Sequence, residues 1–411
     1  MDIRITPGPL AGTVAPPPSK SQAHRVLIAA ALSGGFSVLR GLAQSQDIQA
    51  TAACLRAMGA HLEGAEAGTV RVHGLGSSIS QRREPWLVKF DCGESGSTLR
   101  FLIPVALAVQ GGGIFSGRGR LMERPQRPYF DIFAGKGIFC EQKDSSLTVR
   151  GELTPGEYRL PGNVSSQFVT GLLYALPLLD GDSRIVLTSP LESRGYVDMT
   201  LDALGRFGIR AEAREDGWLV PGGQKYRPCS MTVEADWSQA AFWYGAIALG
   251  SSLELEGLNA FSTQGDMKIV PCFLKLQGRG ELELDVSDCP DLAPPLAAMA
   301  ALRAGEATRL TNAARLRMKE SDRLSSVTRA LNALGADVEE GPDFLTITGR
   351  DSLAGGAAVD CCSDHRVAMM AAVAATRCKA PVTLLGAECV QKSYPNFWEE
   401  YKRLGGKLDV I

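Results

Sequence analysis

The feature that most restricts the fold is an internal repeat. An apolar residue, three others and a glycine close a helix-like stretch six times, at Leu55/Gly59, Phe133/Gly137, Leu204/Gly208, Leu276/Gly280, Leu331/Gly335 and Tyr401/Gly405. Four of these run on into strand-like text, so the glycine reads as the residue just past a helix end, where positive φ is needed. Successive glycines lie 78, 71, 72, 55 and 70 residues apart. A second series, the polar or small residues opening strongly apolar runs at Ser19, Gly96, Ser165, Asp236, Asp291 and Asp364, is spaced by 77, 69, 71, 55 and 73. Both series shorten at the same step, which two unrelated coincidences would not do. Each unit reads as apolar helix, strand, amphipathic helix stopped by glycine, and one or two more strands, a βαβαββ-like unit used six times.

The apolar helices, such as Val26 to Leu32, Phe101 to Val109 and Val367 to Ala375, are hydrophobic nearly all round and should be buried. A chain of 411 residues exceeds what one core usually organises. Two α/β domains of three repeats each follow. The first strand, Ile3 to Ile5, precedes the first apolar helix and belongs with the C-terminal half, with Pro16, Pro17 and Pro18 as a stiff crossing. Expected boundaries are therefore 1–18 plus 235–411 for one domain and 19–234 for the other.

Composition removes several function classes. With 43 basic against 45 acidic residues, the formal net charge is −2, which does not suit a chain held to nucleic acid by bulk charge. No apolar run approaches the roughly 18 residues of a membrane span, and the N-terminus lacks a signal-peptide core, so a soluble cytoplasmic protein without membrane partners is expected. The ten cysteines include no C-x-x-C pair and the four histidines no H-E-x-x-H, so reduced thiols and no metal site are expected.

The openings of the apolar helices carry the chemistry. Ser19-Lys20-Ser21 with Arg25, Gly93 to Arg100, and Ser165-Ser166-Gln167 each combine free helix N–H groups, the positive end of a helix dipole and small hydroxyl residues, the ingredients of an anion site. Ordinary N-capping accounts equally well for any one of them. Cations recur in loops: Arg118, Arg120 and Arg124, then Lys319 and Arg323, Arg366, and Lys392. One phosphate rarely needs more than two or three cations, so the set suits two anionic groups bound together. No G-x-x-x-x-G-K-[ST] or strand-following G-x-G-x-x-G supports a nucleotide. Asp291, at the opening of the fifth apolar helix, reads as a general base or an N-cap. Glu320, beside Lys319, reads as a general acid or a first-turn carboxylate.

Pro18-Ser-Lys-Ser-Gln-Ala-His-Arg25, Gly93-Glu-Ser-Gly-Ser-Thr-Leu-Arg100, Glu123-Arg-Pro125, Val164-Ser-Ser-Gln167, Lys319-Glu-Ser-Asp-Arg323, Asp364-His-Arg366 and Lys392 together resemble the ordered motifs of the EPSP synthase (3-phosphoshikimate 1-carboxyvinyltransferase) family of enolpyruvyl transferases. The series is very specific, unlike any of its members alone. The resemblance implies a two-domain inverted α/β barrel-like fold with a cleft between domains. It also implies transfer of the enolpyruvyl group of phosphoenolpyruvate to the 5-hydroxyl of shikimate 3-phosphate, without metal or organic cofactor, by a monomer. By motif position, Lys20, Ser21, Arg25, Ser165, Ser166, Gln167, Ser193, Asp291 and Lys319 form the shikimate 3-phosphate set. Lys20, Gly96, Arg124, Gln167, Arg323, Arg366 and Lys392 form the phosphoenolpyruvate set. Asp291 takes the hydroxyl proton, and Lys20 or Glu320 protonates the methylene carbon.

The sequence departs from the family pattern at Glu94, where Asn is common, at Phe101 in place of Pro, and at Arg315 in place of Asn. The sibling activity toward UDP-N-acetylglucosamine is the nearest alternative, but its loop cysteine is here Gly119. An RNA 3′-phosphate cyclase-like enzyme would want a nucleotidyl-accepting histidine and a basic strip with exposed aromatics, and neither stands out. A non-catalytic anion-binding protein is the third alternative.

Overall fold

The computed structural model describes residues 1–64, 68–76 and 87–411. The chain divides into two compact units, one of Met1–Pro17 with Glu234–Ile411 and one of Pro18–Val233, one residue before the boundaries expected from sequence. Among the described residues twelve α-helices alternate in character: α1 (Lys20–Leu32), α2 (Gln46–Ala57), α3 (Gly96–Gln110), α4 (Arg127–Gly135), α5 (Ser166–Ala175), α6 (Arg194–Arg206), α7 (Trp237–Ala248), α8 (Ile269–Leu276), α9 (Ala293–Ala300), α10 (Arg323–Ala333), α11 (His365–Ala375) and α12 (Phe397–Arg403). The odd-numbered helices are the apolar ones. They pack on one another to form each unit's core, and all eight residues of α9 and all eleven of α11 are buried.

One repeat shows the pattern. Strand Lys89–Asp91 leads into α3, strand Gly112–Ser116 into α4, and a hairpin of Phe139–Lys143 and Ser146–Arg150 closes the unit. The first strand pairs parallel with the second, the fourth pairs antiparallel with the second, and the third lies at the edge. Among the described residues five four-stranded sheets repeat this order. Two are completed from elsewhere in the chain: Met231–Thr232 pairs with Phe36–Arg40, and Ile3–Thr6 lies between Val382–Leu385 and Lys407–Val410.

The fourth repeat is truncated. Its strand Ser252–Leu255 pairs only with Ala11–Val14 among the described residues. After α8 the chain passes to Leu282–Asp285, already the first strand of the next unit. The missing hairpin is the physical content of the short 55-residue step. The turn left behind is held by buried Arg303, which donates to the carbonyls of Leu276, Gly278 and Gly280 at 3.2, 3.0 and 3.0 Å.

The glycine signature has a single mechanical cause. All six glycines have left-handed φ, from 69° to 102°. In five repeats the residue after glycine donates its N–H to the carbonyl of the repeat's own apolar residue: Ala60 to Leu55, Ile138 to Phe133, Ile209 to Leu204, Ala336 to Leu331 and Gly406 to Tyr401, at 2.9 to 3.0 Å. This is the Schellman closure, which turns the chain from helix back toward strand. The apolar residue is buried beneath it.

Candidate active site

Several inner helices begin with an electrostatic conflict. Cations are unfavourable at a helix N-terminus, yet Lys20 is the first residue of α1, Arg366 the second of α11 and Arg323 the first of the outer helix α10. Local rules broken in this way mark function more often than error. Carboxylates offset the conflict within each unit.

In the unit containing α1 to α6, Ser19 caps α1 and the Lys20 Nζ lies 2.8 Å from Asp47 Oδ2, on the first turn of α2. Arg25, one turn and a half along, is buried. Its Nε donates to Thr200 Oγ1 at 2.9 Å, and its terminal nitrogens donate to the carbonyls of Ser21 and Tyr196 at 2.7 and 2.8 Å. Burial brings its pKa down to about 10. Arg25 thus ties α1 to α6, whose N-cap, Ser193, takes left-handed φ of 58°. A non-glycine residue held there stores strain of the kind that clusters at functional sites.

Gln167, the second residue of α5 behind the cap Ser165 and buried Ser166, accepts from Arg100 at 2.8 Å and donates to Ser97 Oγ at 3.1 Å. The Arg124 guanidinium lies against Gly96: a β-carbon there would sit 2.7 Å from one terminal nitrogen. The loop cations are not alike. Arg118 and Arg120 are exposed and paired with Asp91 and Glu123, whereas Arg124 is buried. Glu94 packs toward Gly119, whose β-carbon would lie 2.7 Å from its carboxylate.

In the other unit the cations converge on one carboxylate. Asp291 Oδ1 accepts from Lys319 at 3.3 Å and Arg323 at 3.0 Å, and Oδ2 accepts from Arg366 at 2.9 Å. Asp291 lies in the 3-10 turn Pro290–Leu292 ahead of α9 with no side-chain cap bond, so neither the N-cap role nor the helix opening describes it; its surroundings are three cations. Arg323 also donates to Glu320 at 2.6 Å and to Asp364 at 2.9 Å. Burial works against the Arg323 charge, but Asp364, Glu320 and Asp291 together hold its pKa above the ordinary value. Burial pushes Lys319 down, with Asp291 opposing. Asp364 caps α11 and accepts from Ser321. Lys392 donates to the carbonyl of Ser363 at 2.7 Å, where Cys362 and Ser363 both hold left-handed φ. Arg315 donates to the carbonyl of Ser287.

Sequence reasoning assigned no role to Asp47, Arg100 or Asp364. The last two lie inside quoted motifs, so a signal existed. Asp47 is 27 residues from Lys20, with no spacing rule to join them. Among the described residues no cluster of metal-ligating side chains occurs, all ten cysteines are free, and no helix is long and apolar enough to cross a membrane.

Solved structures fix the class. The fold matches EPSP synthase from Acinetobacter baumannii with TM-score 0.81 at 25% identity, covering 100% of both chains. It also matches the enolpyruvyl transferase NikO from Streptomyces tendae with TM-score 0.77 at 17% identity, over 99% of this chain and 98% of that one. The fold is that of the enolpyruvyl transferases. The family model for EPSP synthase (3-phosphoshikimate 1-carboxyvinyltransferase) matches residues 5–401. A 3-phosphoshikimate 1-carboxyvinyltransferase from Clostridium kluyveri is 44% identical, over 99% of this chain and 98% of the relative. One from Clostridioides difficile is 40% identical over the same shares. The chain belongs to the EPSP synthase family. It is a transferase of aromatic amino acid biosynthesis that moves the enolpyruvyl group of phosphoenolpyruvate to shikimate 3-phosphate.

Proposed function

We propose that the two cation clusters are the substrate-binding machinery of this reaction, with Asp291 as the base. Lys20, Ser21, Arg25, Ser165, Ser166, Gln167, Ser193, Asp291 and Lys319 hold shikimate 3-phosphate. Lys20, Gly96, Arg124, Gln167, Arg323, Arg366 and Lys392 hold phosphoenolpyruvate. The observation that carries this is the gathering of Lys319, Arg323 and Arg366 within 3.3 Å of Asp291. Asp291 accepts the 5-hydroxyl proton as that oxygen bonds to C2 of phosphoenolpyruvate. Lys20 or Glu320 gives a proton to the C3 methylene, and a tetrahedral intermediate results. Loss of a C3 proton and cleavage of the C2–O bond to phosphate then release the enol ether and inorganic phosphate. The cations stabilise charge on the departing phosphate, and a fixed array costs no reorganisation at the moment of reaction.

The chain acts as a monomer in the cytoplasm on this reading, with the 5-hydroxyl of shikimate 3-phosphate as acceptor. Gly119, in place of the sibling's loop cysteine, supports that choice over UDP-N-acetylglucosamine. Phosphate release measured with both acceptors decides it. Asp291→Asn tests the base: turnover falls by about 10²-fold or more, while calorimetry shows shikimate 3-phosphate binding changed severalfold at most. Equal losses in binding and turnover would make Asp291 a positioning residue.

A further inference from the structure

Beneath the Lys20–Asp47 pair runs a buried chain of hydrogen bonds that the reaction scheme does not use. His24 Nδ1 meets Thr51 Oγ1 at 2.7 Å, Thr51 Oγ1 meets Thr98 Oγ1 at 2.6 Å, and Thr98 Oγ1 donates to Ser95 Oγ at 2.8 Å. All four residues are at most 1% exposed. The chain crosses three helices. His24 lies one turn after Lys20 on α1, Thr51 one turn after Asp47 on α2, and Ser95 caps α3 immediately before Gly96.

The direction of the bonds follows from one end. Thr98 spends its proton on Ser95, so it accepts from Thr51. Thr51, having spent its own, accepts from His24. The imidazole therefore carries its proton on Nδ1. Among the described residues Nε2 has no hydrogen-bond partner and is left as a bare acceptor, and the ring meets Phe101 edge-on. An unpartnered acceptor costs less in an apolar setting than a lost donor would at a site where Thr51 must be served. Burial, with Lys20 and Arg25 nearby, keeps the ring pKa well below its ordinary value, so the ring is neutral.

We propose that His24 is a positioning residue for the enolpyruvyl transfer. Its Nδ1–H sets the relative placement of α1, α2 and α3, and through them of Lys20, Asp47 and the Gly96 start of α3. A neutral ring protonated on Nε2 would break the series at its first bond, because Nδ1 and Thr51 would then have no proton between them. This rests on Lys20 as a substrate-contacting residue. A displacement of about 1 Å in such a group can cost 10²-fold in rate.

The amide of asparagine can stand in for Nδ1–H, whereas that of glutamine reaches toward Nε2. His24→Asn should therefore keep kcat within about threefold, and His24→Gln and the near-isosteric Thr51→Val should lower kcat by about 10- to 100-fold. Shikimate 3-phosphate affinity by calorimetry should hold in His24→Asn and weaken in His24→Gln and Thr51→Val, because Lys20, Ser21 and Arg25 share α1 with His24. Nitrogen NMR of the histidine-labelled wild-type protein should show His24 neutral with Nδ1 protonated, a result independent of whether any variant folds. An Nε2–H ring, equal losses in the Asn and Gln variants, or wild-type kcat in both His24→Gln and Thr51→Val overturns the inference. Lys20→Met separates the two levels: near-wild-type turnover there refutes the role of Lys20 and this inference with it. Loss in Lys20→Met with His24→Gln unaffected refutes only the link to His24.

Discussion

Gly96→Ala isolates one contact of the proposed phosphoenolpyruvate site. A β-carbon at position 96 would lie 2.7, 2.9 and 3.0 Å from the NH1, Cζ and NH2 atoms of Arg124. Ordinary contact begins near 3.4 Å, so the guanidinium must withdraw by roughly 0.5 to 1 Å, a displacement able to cost up to 10²-fold in rate. It can do so, being the far end of a flexible side chain. The backbone does not oppose the change, since Gly96 is the first residue of α3 and alanine is the better helix former by up to about 1 kcal/mol. Stability should therefore hold while function changes. Initial rates of phosphate release, with phosphoenolpyruvate varied at saturating shikimate 3-phosphate, should show KM raised about tenfold with a smaller fall in kcat. The unfolding midpoint should stay within about 1 °C, a shift worth about 1 kcal/mol or less for a chain of this size. Unchanged phosphoenolpyruvate kinetics would place Arg124 outside the site. A large drop in midpoint would mean that the helix start, not the guanidinium, absorbs the added carbon.

Two further outcomes concern stability. The depressed His24 pKa means that below about pH 6.5 the unfolded chain takes up a proton that the folded chain refuses, so stability falls with pH by up to about 1.4 kcal/mol per unit from this group. The loss runs from the unfolded value down to the folded one, and urea midpoints at pH 7 and pH 5.5 should show a shallower acid loss in His24→Asn; parallel slopes would refute it. Asp364→Ala removes the cap of α11 and the buried partner of Arg323 together, and should cost about 3 to 5 kcal/mol by denaturant unfolding. A cost below about 1 kcal/mol would mean that Glu320 and Asp291 suffice to hold the guanidinium.

The repeat was legible because five of the six units close their outer helix by the same hydrogen bond. That bond demands glycine at one position and favours an apolar residue four earlier, so the geometry is printed in the chain. The missing hairpin was printed too, as a step of 55, although only the sheets reveal what was lost. Individual site residues were legible where helix caps and cations coincide in a short motif. Contacts between distant segments were not. Nothing local joins Lys20 to Asp47, or His24 to Thr51, because those contacts depend on how inner and outer helices stack. Asp291 is picked out by its place in the repeat and expected near cations; of its two readings the N-cap fails, because the residue lies in a 3-10 turn and its carboxylate accepts from Lys319, Arg323 and Arg366 without capping α9.

The carboxylates beside these cations answer a question that the helix dipoles pose. Lys20 at the positive end of α1 is costly unless an anion lies beside it, and Asp47 supplies one at 2.8 Å. A phosphorylated substrate brings the same charge with more oxygen acceptors, so in the proposed site substrate and Asp47 compete for Lys20. Asp47→Asn ends the competition: the protein loses an ion pair that is mostly shielded from water, while Lys20 keeps its charge at a helix start with one carboxylate fewer beside it. Inorganic phosphate, used as the probe, should then raise the unfolding midpoint of Asp47→Asn more than that of wild type, in proportion to RT ln(1 + [L]/Kd). Chloride at equal ionic strength controls for screening. Lys20→Met in the Asp47→Asn background should remove the added response. Phosphate shifts that are equal in Asp47→Asn and wild type would show that Asp47 does not guard the anion site, and that the pair serves only to fasten α1 to α2.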